Sequence, residues 1–331
     1  MPPDRLRSIV PMFGGATSYV KTLDEILEYV ADQQPTPNEL IGWHRGHFDR
    51  VSSRDSIQRR IDYLEDVGFI QQDGHHWRLG PEGTTYVAEQ TTETLLEIMC
   101  RRNVGLRSLL YSLVPAPMTI EEIGHQQLKT HAILGWDPAN TDMAKQRANW
   151  LRSLGLVHRD GQQYALTDEG RQFVETAVEQ WAGSDPEAGA STTDSPTATT
   201  YETTVQARAV DPEFRETVLV QYDVACPISG VDHRGLLDVA HVLPWSDYPQ
   251  HRADPTNVLP LSKIHHAAFD RELFTIDHNY RLHVNPDFET DSDLLKQTIL
   301  DRAGESVPQL DGNVAPAYLR QYNESIGWVT S

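Results

Sequence analysis

The stretch at residues 238–270, DVAHVLPWSDYPQHRADPTNVLPLSKIHHAAFD, decides the fold of the C-terminal part of the chain. A short apolar run ends at His241, and a polar, Pro-rich loop follows it. Asn257 then opens a second apolar run, and His265 and His266 lie in a helix-like stretch. The pattern predicts strand, loop, strand and helix, with two imidazoles and an amide brought together. Such a set can activate a water molecule and hold a divalent cation beside a phosphodiester.

The order His241, Asn257, His266, with a long loop between two short strands and a helix, resembles the HNH endonuclease family. Both flanks agree with this resemblance: Cys226–Gly230 precedes the stretch, and a hairpin-like segment, Leu273–Val284, follows it. The resemblance implies the ββα-metal fold, a divalent metal ion such as Mg²⁺ or Mn²⁺, and double-stranded DNA as the substrate.

The resemblance also implies a role for each residue of the motif. His241 is expected to be the general base, Asn257 to brace the loop, and His266 to bind the metal. Asp270 lies four residues after His266, on the same face of a helix, and is the first choice for a second ligand. Asp238 is the second choice, although three residues before His241 a regular strand would point it to the opposite face.

One position departs from the family pattern. Many members have a metal-binding Asp immediately before the general base, whereas this chain has Ala240. The second ligand is therefore open between Asp270 and Asp238. His265 is an alternative to His266 as the histidine ligand. Arg252 is a candidate for holding the scissile phosphate, because a guanidinium matches its oxygens.

The first half of the chain contains a repeat. Residues 63–87 and 150–174 align without a gap, and Gly68 and Gly155 are one of several identical pairs that lie 87 positions apart. Helical spacing, an Asp-Gly hairpin turn and a further helix recur in both copies. This order resembles two tandem winged-helix domains, which we place at residues 18–90 and 91–181.

The third helix of such a domain commonly enters the major groove of DNA. The side chains predicted to contact DNA are Arg54, Gln58 and Arg59 in the first copy and Lys145, Gln146 and Arg147 in the second. Winged helices also bind proteins, so a protein partner is the alternative. A Ser-, Thr- and Ala-rich segment at 182–208 predicts a flexible linker to a nuclease domain at 209–331.

Acidic residues outnumber basic ones, with 48 Asp and Glu against 28 Lys and Arg and a formal net charge of −20. A DNA-binding protein usually presents a basic face to phosphates. An acidic, Lys-poor chain suits molar salt, where the Debye length falls to about 3 Å and self-repulsion is screened. We therefore expect a halophilic protein that contacts phosphates through individual Arg residues.

The two cysteines, Cys100 and Cys226, form neither a CxxC pair nor a disulfide framework, which predicts a reducing cytoplasm. No apolar run approaches the roughly 18 residues of a membrane span, and the N-terminus has no signal-peptide core. We expect a cytoplasmic protein.

The leading hypothesis is a metal-dependent DNA endonuclease of restriction or defence type, guided by the winged helices. The alternative is a non-cleaving, DNA-binding transcriptional regulator with a degenerate HNH module, which Ala240 favours. A homodimer is attractive for the endonuclease, because two cuts in a duplex need two active sites.

Overall fold

A computed structural model describes residues 5–49, 51–183 and 211–329. Contacts within the chain divide it into two units, Met1–Arg171 and Gln172–Ser331. Helices and small antiparallel sheets give an α+β fold, the class expected from two winged-helix domains followed by a ββα-metal domain. Of the predicted linker at 182–208, only residues 182 and 183 are described, and they end a helix.

The first half of unit 1 consists of three helices, a hairpin and a fourth helix. The elements are α1 (Tyr19–Gln33), α2 (Pro37–His47), α3 (Arg54–Val67), β1 (Ile70–Asp73), β2 (His76–Leu79) and α4 (Pro81–Glu89). Local signals set these boundaries. Thr36 and Glu39 form a capping box at the start of α2, and Gly68 ends α3 in the left-handed region at a φ of 93°.

The second half repeats this order with two additions. Its elements are α5 (Thr92–Arg102), α6 (Leu106–Ser112), β3 (Met118–Thr119), α7 (Ile120–Thr130), α8 (Asp142–Ser153), β4 (Val157–Asp160), β5 (Gln163–Leu166) and α9 (Asp168–Gly183). Helix α6 was not expected from the sequence. Strand β3 pairs with β5, so this sheet has three strands in the order β3-β5-β4.

A close approach of the backbone, which only glycine permits, explains why the repeat has Gly83 in one copy and Gly170 in the other. A Cβ at Gly83 would lie 2.0 Å from the carbonyl oxygen of Phe69, and one at Gly170 would lie 2.1 Å from that of Leu156. These four residues occupy equivalent places in the two copies. The helix after each hairpin, α4 or α9, therefore begins against the start of that hairpin, where any side chain would clash.

Residues 5–17 precede α1 and pack along both halves of unit 1. The indole nitrogen of Trp150 in α8 donates to the carbonyl oxygen of Val10 at 2.9 Å. Arg5 donates to the carbonyl oxygens of Cys100 and Asn103 at 2.7 and 2.8 Å. Ile9 is fully buried between these contacts. The N-terminal segment is thus part of the core, which its sequence did not indicate.

Unit 2 contains two β-hairpin ribbons surrounded by helices. Its elements are α10 (Pro212–Gln221), β6 (Leu237–His241), β7 (Val258–Ser262), α11 (Lys263–Asp270), β8 (Phe274–Ile276), β9 (Leu282–Val284), α12 (Asp293–Thr298) and α13 (Pro316–Ser325). β6 pairs with β7, and β8 pairs with β9. Pro260, at the centre of β7, lies opposite Val239.

Throughout the part of the chain that the structure describes, no helix combines the length and the apolar character needed to cross a membrane.

Candidate active site

The β6–β7 ribbon and helix α11 carry the three motif residues. His241, the last residue of β6, pairs with Val258, so Asn257 lies just beyond the ribbon at the same end. α11 begins directly after β7, and the hydroxyl of its N-cap residue, Ser262, accepts from the backbone N–H of His265. His266 contacts Asp238 on β6, which places it against the strand that ends in His241.

Asn257 connects the two ends of the loop between the strands. Its Oδ1 accepts a hydrogen bond from the backbone N–H of Leu243 at 3.0 Å, and its Nδ2 donates to the carbonyl oxygen of His251 at 3.1 Å. The side chain is only 1 % exposed. An amide suits this position because it donates and accepts at once, which neither a carboxylate nor an aliphatic side chain can do.

The loop also orients the imidazole of His241. Its Nε2 lies 3.0 Å from the carbonyl oxygen of Arg252. Because a carbonyl only accepts, Nε2 carries the hydrogen in this contact, and Nδ1 is then the basic nitrogen of a neutral ring. The indole of Trp245 packs edge-on against the ring, with 5.0 Å between centroids. The sequence did not reveal this orientation, because the partner is a main-chain atom.

His266 lies between two carboxylates. Its Nδ1 is 3.5 Å from Oδ2 of Asp238, and its Nε2 is 3.4 Å from Oδ2 of Asp270. Burial lowers the pKa of His266, but the hydrogen bond to Asp238 and the charges of Asp270 and Asp238 outweigh it, and the net pKa is raised. Burial, the largest influence, also raises the pKa of Asp270, and the nearby charge of His266 opposes it.

The two carboxylates approach opposite edges of the ring. Within the described residues, no group of three or more His, Cys, Asp or Glu side chains is arranged to hold one metal ion. His266 and Asp270 do fit such an ion as a pair. Two ligands that share an ion at about 2.1 Å lie roughly 3.0–3.4 Å apart, depending on the coordination geometry.

The strand geometry explains the contact of Asp238. Side chains alternate along a strand, so Asp238 shares a face with Ala240, which is fully buried. Asp238 therefore points to the face where many HNH proteins have the Asp that precedes the base. Asp238 was expected to point away from His241 on a regular strand. On the face that it does occupy, it lies beside His266.

His265 is not available as a metal ligand. Its Nδ1 lies 2.7 Å from the hydroxyl of Ser262, and its Nε2 lies 2.8 Å from that of Thr298 in α12. The side chain is buried, and burial together with the charge of Arg302 lowers its pKa to about 4. A neutral ring with both nitrogens bonded to hydroxyls links α11 to α12, so the alternative assignment of His265 is wrong.

Arg252 packs beside the base rather than away from it. Its Nε donates to the carbonyl oxygen of Trp245 at 2.8 Å, and its guanidinium carbon lies 4.9 Å from the centre of the Trp245 ring. Trp245 is half-buried. The ring of Trp245 therefore contacts both the guanidinium of Arg252 and the imidazole of His241.

The predicted DNA-contacting residues of α3 are accessible but partly engaged. Arg54 and Arg59 are exposed, and Arg54 donates to Oδ1 of Asn38 at 3.3 Å. Gln58 donates to Oδ1 of Asp62 at 2.7 Å. Arg54 and Arg59 are thus exposed, whereas Gln58 is half-buried, and the contact of these three residues with DNA remains a prediction.

In α8 the structure separates the three predicted residues. Lys145 is exposed and Gln146 is half-buried, whereas Arg147 is fully buried. The guanidinium of Arg147 donates to the carbonyl oxygens of Val104 and Arg7 at 3.2 and 2.5 Å. Its assignment to DNA is wrong, because the side chain anchors the N-terminal segment inside unit 1.

Residues 226–277 match the family described as HNH endonuclease. This segment is an HNH endonuclease domain. It contains β6, β7, α11 and the motif residues, and it ends just after β8. Unit 1 lies outside the matched residues. No curated protein matches the chain.

Proposed function

We propose that the protein is a metal-dependent DNA endonuclease of restriction or defence type. Its HNH domain hydrolyses phosphodiester bonds, and tandem winged helices in unit 1 select the site. The observation that carries the proposal is the contact of His241 with the Arg252 carbonyl oxygen, which leaves Nδ1 as the basic nitrogen at the edge of an HNH motif.

His241 acts as the general base in this proposal. Its Nδ1 accepts a proton from a water molecule as the water oxygen attacks phosphorus, and the bond from phosphorus to the 3′ oxygen breaks. The ring becomes an imidazolium, and its Nε2–H bond to the Arg252 carbonyl strengthens as the positive charge develops. The guanidinium of Arg252 holds the phosphate in place.

Asp270 and Nε2 of His266 would hold a divalent ion such as Mg²⁺ or Mn²⁺. When bound, the ion stabilises charge on the phosphate and the leaving oxygen. Asp238 orients the ring through Nδ1, in the way that a carboxylate commonly supports a ligating histidine. This division of roles follows the first choice for the second ligand, Asp270, and gives Asp238 a supporting role.

Site selection is proposed for the third helices of the two repeats. Arg54, Gln58 and Arg59 would contact DNA in the first, and Lys145 and Gln146 in the second. A duplex substrate fits two copies of the chain, one for each strand. In molar salt, the environment that the acidic composition suggests, such contacts depend little on long-range attraction.

A protein-binding role for unit 1 is the second candidate, and the surface of α3 favours it. Asp55, Asp62 and Asp66 line an open groove of about 540 Å³ together with Arg59. Carboxylates on this face repel phosphates. Asp62→Asn should therefore strengthen DNA binding if α3 enters a groove of DNA, and should leave DNA binding unchanged if α3 binds a protein.

The proposed activity is tested on plasmid DNA in high salt with Mn²⁺ or Mg²⁺. The wild type is expected to nick or cut the plasmid, and His241→Ala to lower the rate at least about a hundredfold without unfolding. His278→Ala is the matched control, because His278 is exposed in the turn between β8 and β9. Undiminished cleavage by His241→Ala would refute the assignment. Retention of DNA without cutting would favour the regulator.

A further inference from the structure

A residue outside the matched HNH segment contacts the loop that orients His241. Tyr318 belongs to α13, and its hydroxyl donates to Oδ2 of Asp254 at 2.8 Å. The same hydroxyl lies 3.1 Å from Nδ1 of His251, with 4.8 Å between the two ring centroids. One tyrosine therefore contacts two residues of the loop between β6 and β7.

Asp254 transmits this contact to the turn that presents Asn257. Its Oδ1 accepts from both the backbone N–H and the hydroxyl of Thr256, each at 2.8 Å. The carboxylate thus caps the short 3-10 helix Pro255–Asn257 with one oxygen and binds Tyr318 with the other. A second link holds the two segments together, because the backbone N–H of Ala315 donates to the carbonyl oxygen of Thr256 at 3.0 Å.

His251 transmits the contact to the two motif residues. Since the Tyr318 hydroxyl donates to a carboxylate, Nδ1 of His251 is the donor in their hydrogen bond. The backbone carbonyl of His251 accepts from Asn257, and the next carbonyl along the chain accepts from His241. A shift of this short segment would move both acceptors together.

Tyr318 remains a donor over a wide pH range. Burial, followed by the charge of Asp254 and the hydrogen bond to it, raises the pKa of Tyr318. The hydroxyl therefore stays protonated at neutral pH, and the contact does not switch off there.

We propose that Tyr318 is a positioning residue of the active site, whose hydroxyl holds the loop at 244–256 in the form that orients His241. The inference rests on the proposed function. It adds a residue that lies beyond the HNH match at 226–277 and that touches neither the reacting atoms nor the metal pair.

The test compares Tyr318→Phe with Tyr280→Phe in the full chain. Tyr280 is the matched control, because its hydroxyl also donates near α13, at 2.9 Å to the carbonyl oxygen of Val314, but does not contact the loop. Single-turnover cleavage by Tyr318→Phe should slow about tenfold or more, while the dissociation constant for DNA stays within about twofold, since positioning affects the reaction and not the binding. Tyr280→Phe should cleave at the wild-type rate.

A second measurement follows the imidazole of His241 directly. Nitrogen-15 spectra of the histidine rings, with the His241 signals assigned by their loss in His241→Ala, should show a shift in Tyr318→Phe and none in Tyr280→Phe. Asp254→Asn should shift the same signals, and adding Tyr318→Phe should slow cleavage no further than the slower single variant.

The two proposals fail in different ways. If the wild type does not cleave DNA, the proposed function is wrong, while the ring spectra still decide whether Tyr318 orients His241. If Tyr318→Phe cleaves within twofold of the wild type, or if its His241 signals match those of Tyr280→Phe, the positioning role is refuted.

Discussion

Replacing Asn257 with alanine would remove the side-chain hydrogen bonds that connect the two ends of the loop between β6 and β7. The amide makes two hydrogen bonds, one with the backbone N–H of Leu243 and one with the carbonyl oxygen of His251. The N–H of Leu243 is buried, so water does not readily replace its lost partner, whereas His251 is half-buried. Asn257→Ala therefore leaves one buried donor unsatisfied and removes one hydrogen bond from a half-buried carbonyl oxygen.

The expected cost follows from these two groups. Leaving the buried N–H of Leu243 without a partner costs about 1–3 kcal/mol, and losing the bond to the half-buried His251 carbonyl costs about 1 kcal/mol, so Asn257→Ala should lower the local stability of the β6–β7 ribbon by about 2–4 kcal/mol. That is a large part of the roughly 5–15 kcal/mol that stabilises a typical domain. Asn285→Ala is the control, since its amide makes a similar pair of bonds, with Glu272 and Asp287, at an exposed position.

Hydrogen exchange measures this local stability. The amides of residues 237–262 should exchange about thirtyfold faster or more in Asn257→Ala, because each 1.4 kcal/mol corresponds to a factor of ten. Asn285→Ala should change them by less than tenfold. Exchange in Asn257→Ala within about twofold of the wild type would refute the bracing role, whatever happened to cleavage.

Three further predictions concern other parts of the chain. Burial is the main influence that lowers the pKa of His44 to about 4. Because the pKa in the unfolded chain is about 6.5, the free energy of unfolding of unit 1 should fall by up to about 3 kcal/mol as the pH falls from 6.5 to 4. Calorimetry should show a flatter pH dependence of this stability for His44→Phe. Gly83→Ala and Gly170→Ala should each lower the melting temperature of unit 1, whereas Gly124→Ala, whose new Cβ would meet its nearest neighbour at 3.8 Å, should not. Because the pKa of His266 is raised, protonated His266 contributes its full stabilisation of the metal-free protein below about pH 6.5, and this contribution is lost as the pH rises through the raised pKa. Mn²⁺ binding should therefore release a proton and become tighter as the pH rises across that window. Calorimetry in buffers of different ionisation enthalpy would detect the released proton.

Local chemistry made much of unit 2 predictable. Asp211 followed by Pro212 is a typical helix start, and the Asp211 carboxylate accepts from the backbone N–H groups of Glu213 and Phe214. The first strand was expected to end at His241, and β6 is found at Leu237–His241. Caps, turns and alternation depend on neighbours in the sequence, so they can be read from it.

Contacts between distant segments were not predictable in the same way. Arg147 appeared on a helix with other polar residues, which suggested an exposed face. Its burial depends on residues 5–17, which lie far away in the sequence and supply the carbonyl oxygen of Arg7. Periodicity describes one helix at a time, so a second segment that covers the polar face escapes it.

The active-site loop shows the same limit. The order of the motif located His241 and Asn257, but their partners include main-chain carbonyl oxygens, and every residue has one of these. Tyr318 lay in a tail to which the sequence assigned no chemistry. Only the folded chain brings its hydroxyl to Asp254.

Pro260 affects how the ribbon behaves toward other strands. It lies opposite Val239 in a ladder that remains intact along its length, so the position that lacks an N–H faces away from β6. An intruding strand would find no donor at the middle of that outer margin. Because β7 is also buried along its whole length, the segments that cover it and the missing donor together keep this ribbon from pairing with a further strand.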